Sequence, residues 1–131
     1  MLEENKMDSI LITIKQMLLG NEADSAFDND LIPLINMAFY SLYELGLGVD
    51  AFVITGDTEV WSDFCSEISK YEALKTYVYI KVKLLFDPPT SSFVLDAFRT
   101  QLSELEFRLL SKKEVDDYKN SLEGGEIQNG V

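Results

Sequence analysis

Two adjacent prolines, Pro88 and Pro89, constrain this chain more than any other feature. Proline has no amide hydrogen for a helix and clashes with the carbonyl four residues earlier. It also biases the residue before it toward extended dihedrals. A regular helix cannot run through Asp87-Pro88-Pro89, so the chain must turn there. Apolar residues at helical spacing lie on both sides. Upstream, Leu74, Tyr77, Val78, Leu84 and Leu85, with Ile80 and Val82 nearby, predict a helix ending near Phe86. Its start, Ser69-Lys70-Tyr71-Glu72, has the form of a capping box. Downstream, Thr90, Ser91 and Ser92 offer hydroxyls for a cap. Leu95, Phe98, Leu102, Leu105 and Leu109 then predict a helix from near Phe93.

The first half reads the same way. Leu11, Ile14, Met17 and Leu18 recur at helical spacing, with Asp8 as the expected N-cap and Gly20 as the stop. The β-branched residues Ile10, Ile12, Thr13 and Ile14 leave a strand open as the alternative. Leu31, Ile35, Ala38, Leu42 and Leu45, widened by Leu34 and Phe39, predict a second helix. Asp30 is its expected cap, which puts Pro33 in the first turn, and Gly46 and Gly48 are its expected end. Residues 49–58 change character: Phe52-Val53-Ile54-Thr55 reads as a short extended piece and Gly56-Asp57 as a turn. Val60 to Cys65 suits a short helix that plugs the core with Trp61 and Phe64.

These segments predict a mainly α fold: a small bundle of about four main helices, with a short extended or irregular segment near 49–58. Residues 1–110 form the expected domain, and 111–131 a charged, flexible C-terminal tail. Ser111 to Asn120 could prolong the last helix. From residue 120 on, the apolar content is too low for packing, so disorder is expected. The 131 residues suit one domain, and 47% hydrophobic content supplies a core without disulfides or metal.

Charge and missing residue types narrow the function. With 23 acidic and 11 basic residues the net charge is −12. Such a surface repels phosphate backbones and acidic lipid, so ordinary electrostatic binding to either is not expected. The acidity fits solubility, a basic protein partner, or a surface that must not adhere to nearby DNA. Met1-Leu2-Glu3-Glu4 is acidic where a signal peptide needs basic residues, so export by a cleaved signal is not expected. No apolar run is long enough for a membrane span. The single cysteine, Cys65, can form no intrachain bridge and fits a reducing cytoplasm.

The chain contains no histidine. That removes the commonest general base, the Ser-His-Asp triads and most catalytic zinc sites. Asp63 and Glu67 flank Cys65 with the wrong charge for a reactive thiolate. Asp28-Asn29-Asp30 resembles the start of a calcium loop, but Pro33 stands where the turn glycine belongs and the closing glutamate is absent. Gly46-Leu47-Gly48 lacks the third glycine of a dinucleotide site. Phe39, Tyr40 and Tyr43, and Tyr71, Tyr77 and Tyr79, could stack on bases, but such platforms need a basic groove. Packing is the expected role of these rings. No enzyme, cofactor or metal is expected.

Several segments in order resemble the head–tail connector proteins of tailed phages. They are Ile10-Leu11-Ile12-Thr13-Ile14-Lys15, Phe27-Asp28, Leu34-Ile35-Asn36, Leu45-Gly46-Leu47-Gly48 and Val60-Trp61-Ser62-Asp63. Then come Tyr77 to Lys83, Phe86-Asp87-Pro88-Pro89, Ser91-Ser92-Phe93 and Glu104-Leu105-Glu106-Phe107-Arg108-Leu109. The likeness covers roughly residues 8–110. It implies a structural virion protein, made in the host cytoplasm, that forms a ring beneath the portal, extends the DNA channel and docks the tail. The implied partners are the portal protein, a tail-proximal connector or stopper protein, and further copies of the chain, with DNA passing through the lumen unbound. Trp61, Lys81, Lys83, Phe86, Asp87, Pro88 and Pro89 are the candidate turn or interface residues. The alternative from another class is an acidic regulatory or DNA-mimic protein that binds a basic partner.

Overall fold

The computed structural model describes residues 9–20, 24–66 and 72–129, with side chains to residue 122. Among them the helices are α1 (Ile10–Leu19), α2 (Asp28–Glu44), α3 (Trp61–Phe64), α4 (Glu72–Phe86) and α5 (Ser92–Asn129). A 3-10 turn, Ser25–Phe27, precedes α2. The result is a helical bundle with α4 at its centre, packed against α2, α5 and α1. No helix among the described residues is long and apolar enough to cross a membrane.

The central position of α4 explains its burial pattern. Leu74, Tyr77, Val78, Ile80 and Val82 are all buried, while Leu85 is 51% exposed. A single apolar stripe would have placed Leu85 inside and left Ile80 and Val82 at the margin. A helix with neighbours on more than one side buries a wider arc. In its last turn Phe86 turns inward instead, meeting Phe27 edge to face at 5.6 Å between ring centres. The predicted box at Ser69 lies outside the described residues.

Two caps differ from the sequence expectation. Ser9, not Asp8, caps α1: its hydroxyl accepts from the Ile12 amide at 3.3 Å, and Asp8 lies outside the described residues. The Ser9 carbonyl also accepts the Thr13 hydroxyl at 2.7 Å. For α2 the expected cap was Asp30, but the helix begins at Asp28. The 3-10 turn, capped by Asp24 through the Ala26 amide at 2.9 Å, already aims the chain into the helix. Pro33 therefore sits in the second turn. The carbonyl it leaves without a helical donor belongs to Asn29, which is exposed and open to water. The Asp28 carboxylate pairs with Lys15 at 2.8 Å and ties α2 to α1.

The end of α2 is a Schellman motif. The Gly46 amide donates to the Tyr43 carbonyl at 2.8 Å and the Leu47 amide to the Leu42 carbonyl at 3.0 Å. Gly46 has φ +89°, the left-handed conformation this motif requires, and Leu47 folds into the core. The chain then runs irregularly through 49–58. Ile54 is buried without a neighbouring strand, and the side chain of Asn36 takes the place of one. Its amide nitrogen donates to the Ile54 carbonyl at 3.1 Å, and its oxygen accepts from the Ile54 amide at 2.8 Å.

After the double-proline turn Ser91 caps α5, with its carbonyl accepting from the Leu95 amide at 3.0 Å. Leu105 and Leu109 bury the helix against the core. The helix crosses the 110/111 division without a break and continues to Asn129. What changes near residue 113 is packing. The aliphatic stem of Lys113 lies over Gly46, whereas residues 117–122 are exposed.

Candidate functional site

Six of the seven candidate residues fall into two places, and Lys81 lies between them on α4. Trp61 is 1% exposed and belongs to an aromatic cluster with Phe39, Phe52 and Phe64, whose ring centres lie 4.6 to 5.9 Å from Phe39. Its indole N–H donates to the Thr13 hydroxyl at 3.3 Å, so α3 is fixed to α1. Lys75 of α4 stands 6.0 Å over the same ring. Phe86 is eleven residues further along α4, about 16 Å of helix rise. Here Lys83, Phe86, Asp87, Pro88 and Pro89 form one corner.

At that corner each side chain has a local partner or a conformational role. Lys83 donates to Asp87 at 2.9 Å, an i,i+4 pair that closes the last turn of α4. Such a pair is worth a few tenths of a kcal/mol. Lys81 stands 5.8 Å over the Tyr77 ring. Tyr77 donates its phenol to Glu106 of α5 at 3.1 Å. Burial, then the Glu106 charge, push its pKa far above the ordinary phenol value, so it stays a donor. The corner exposes apolar surface next to the turn: Leu85, Val94 and, at 82%, Phe93.

Two organising side chains lie outside the sequence candidates. Asn36 carried no distinguishing local signal, because its partner is 18 residues away. Glu59 closes the other loop. Its carboxylate accepts from the Thr55 amide at 2.9 Å, the Thr55 hydroxyl at 2.8 Å and the Gly56 amide at 3.3 Å. Its backbone carbonyl accepts from the Ile10 amide at 3.1 Å, tying the loop to α1. Burial by itself would raise the Glu59 carboxyl; the hydrogen bonds from Thr55 and Gly56 outweigh it and hold the group below its ordinary 4.5. The depressed value means that the charged carboxylate stabilises the fold above about pH 4.5 and loses that contribution as pH falls through the folded value. Thermal melts across pH 3 to 6 should show an acid-side decline that Glu59→Gln flattens by a few degrees. An identical decline in the variant would show that Glu59 is not its source.

The loop after α2 leaves a groove of ≈ 220 Å³ against that helix. Phe39, Tyr40, Tyr43, Val49, Asp50 and Val53 line it. Tyr40, at 63% exposure, stands on its rim with Val49 and Val53. The Asp50 carboxylate beside Tyr43 raises that phenol above its ordinary pKa. Sites for drug-sized ligands occupy roughly 300 to 1,000 Å³, so this groove suits one large side chain better than a cofactor. On α5, Phe107, Val115 and Tyr118 are exposed while Leu105 and Leu109 face the core. The outward side of the helix therefore carries scattered apolar side chains among polar ones such as Ser103, Glu104 and Glu114. The arrangement offers exposed apolar packing surfaces beside the turn that joins α4 and α5.

Comparison with known families gives one finding: a family model described as phage connector protein matches residues 10–116. No curated protein and no solved structure matches the chain.

Proposed function

This chain belongs to the phage connector protein family, and from that premise we propose that it is a head–tail connector subunit that forms a ring beneath the portal. The family is one of structural virion components, and the match across residues 10–116 carries this reading. The ring extends the DNA channel and presents a docking surface to a tail-proximal connector or stopper protein. It performs no catalysis. Its symmetry follows the portal, with heterologous contacts between neighbouring copies.

The charge supports the same role. A net charge of −12 leaves a lumen along which DNA slides without adhering, since phosphates gain nothing from such a wall. Of the basic side chains on α4, Lys75 and Lys81 stand over aromatic rings and Lys83 pairs with Asp87. The corner of Leu85, Pro88, Pro89, Phe93 and Val94 fixes the angle between α4 and α5 and is offered to a partner. The charged segment 111–131, with Val115 and Tyr118 facing outward on α5, docks on the portal.

Light scattering of the purified chain with and without portal protein tests this reading. A connector gives a ring-sized mass with portal, and deletion of 112–131 weakens that association. A complex of one or two copies with a basic partner, and none with portal, would overturn it.

A further inference from the structure

We propose that the groove between α2 and the 49–53 loop receives Phe107 of a neighbouring copy, with Arg108 of that copy paired to Asp50. The inference rests on the connector reading and names the contact that would join copies within the ring. The groove volume of ≈ 220 Å³ takes one large side chain. Its apolar wall is Phe39, Tyr40, Val49 and Val53, and its one charged lining residue is Asp50. The complementary knob is an exposed aromatic ring beside a basic residue.

Outside the groove the exposed rings include Phe27, Phe93, Phe107 and Tyr118. Tyr118, followed by the exposed Lys119, carries a phenol that would need a hydrogen-bond partner against an apolar wall, which leaves the three phenylalanines. Phe27 is already engaged with Phe86. Phe93 has no basic residue within four positions on either side. Phe107 is 73% exposed and is followed directly by the exposed Arg108. Its neighbours on the outward side of α5 include the short Thr100, Ser103 and Ser111, with Glu104 and the partly exposed Leu110 beside them. Within one copy the core-facing residues of this helix are Leu105 and Leu109, which leaves Phe107 directed away from its own bundle.

Groove and knob sit on different elements, so a contact between two copies leaves one of each unfilled. A heterologous contact of this kind continues from copy to copy and closes where the rotation permits. An aromatic anchor in a desolvated pocket with a charge pair at its edge is the usual form of an interface hot spot. Portal symmetry selects the closing rotation, and the groove and knob supply the adhesion.

The test uses the full chain with Phe107→Ala, Asp50→Arg, Arg108→Asp and the double variant Asp50→Arg/Arg108→Asp. Sedimentation is run alone and on purified portal, counting copies bound per portal. All three sites are exposed, so circular dichroism melts should match wild type. Each single variant is expected to weaken association between copies by about tenfold, and the double charge reversal to restore most of it. Wild-type association in Phe107→Ala, or a double variant no better than the worse single, would overturn the contact. Portal binding one copy at a time, alike in all variants, would overturn it too while leaving the connector reading standing. Association between copies that follows the predicted pattern without any portal binding would uphold the contact and overturn the connector reading.

Discussion

Gly48→Ala should cost the protein about 2 to 5 kcal/mol of stability. Two effects add. Gly48 has φ +77°, and a left-handed conformation costs a side-chain-bearing residue roughly 1–2 kcal/mol. An added Cβ would also lie 2.1 Å from the Phe64 ring, which is itself buried in the aromatic cluster. Forcing a packed ring aside costs about 1–3 kcal/mol. Domains of this kind hold only about 5–15 kcal/mol in all, so the variant should approach the threshold of folding. Gly46→Ala separates the two effects. Gly46 has the same strained φ, but the atoms nearest its added Cβ belong to the far end of the Lys113 side chain, which can swing away. Urea denaturation should place the Gly48 variant about 1–3 kcal/mol below the Gly46 variant. Equal losses would remove the Phe64 clash from the account.

Trp61→Ala should destabilise by about 3–5 kcal/mol, the range for removing a large buried aromatic side chain. The ring touches the Phe39 cluster, and its N–H holds the Thr13 hydroxyl. Losing it opens a cavity between α1 and α4 and frees α3 from α1. Since Trp61 is the sole tryptophan, unfolding has to be followed by far-ultraviolet circular dichroism. Lys83→Ala, by contrast, removes one exposed i,i+4 pair and should cost no more than about 0.5 kcal/mol. Comparable losses for the two would contradict the inward placement of Trp61.

Much of the fold was legible because helices advertise themselves locally. The spacing of Leu31, Ile35, Ala38 and Leu42, and the stop at Gly46, need no knowledge of distant residues. The same is true of the break at Pro88. Errors came where the neighbours decide. Leu85 was placed inside by its own helical stripe and is exposed, while Ile80 and Val82 are buried because α4 has helices on several sides. The cap of α2 moved from Asp30 to a helix start at Asp28, because a preceding 3-10 turn delivers the chain there. The double-proline turn was readable as a helix stop, because proline ends a helix wherever it stands. Asn36 and Glu59 were not, since a polar residue gives no local sign that its partner is a backbone segment brought close by folding.

The sequence by itself determined the mainly helical class, the compulsory turn at Asp87-Pro88-Pro89, the acidic character and the absence of histidine chemistry. Each follows from residue type and short-range spacing, which act before any tertiary contact forms. Only the tertiary structure decided what the turn joins and what surrounds it. It placed α4 at the centre, held Lys83 against Asp87 and Phe86 against Phe27, and closed the 49–58 loop on Asn36. It also left a groove on one side of the bundle and Phe107 projecting from α5. These depend on which faces meet, a long-range outcome of burying all the apolar stripes at once.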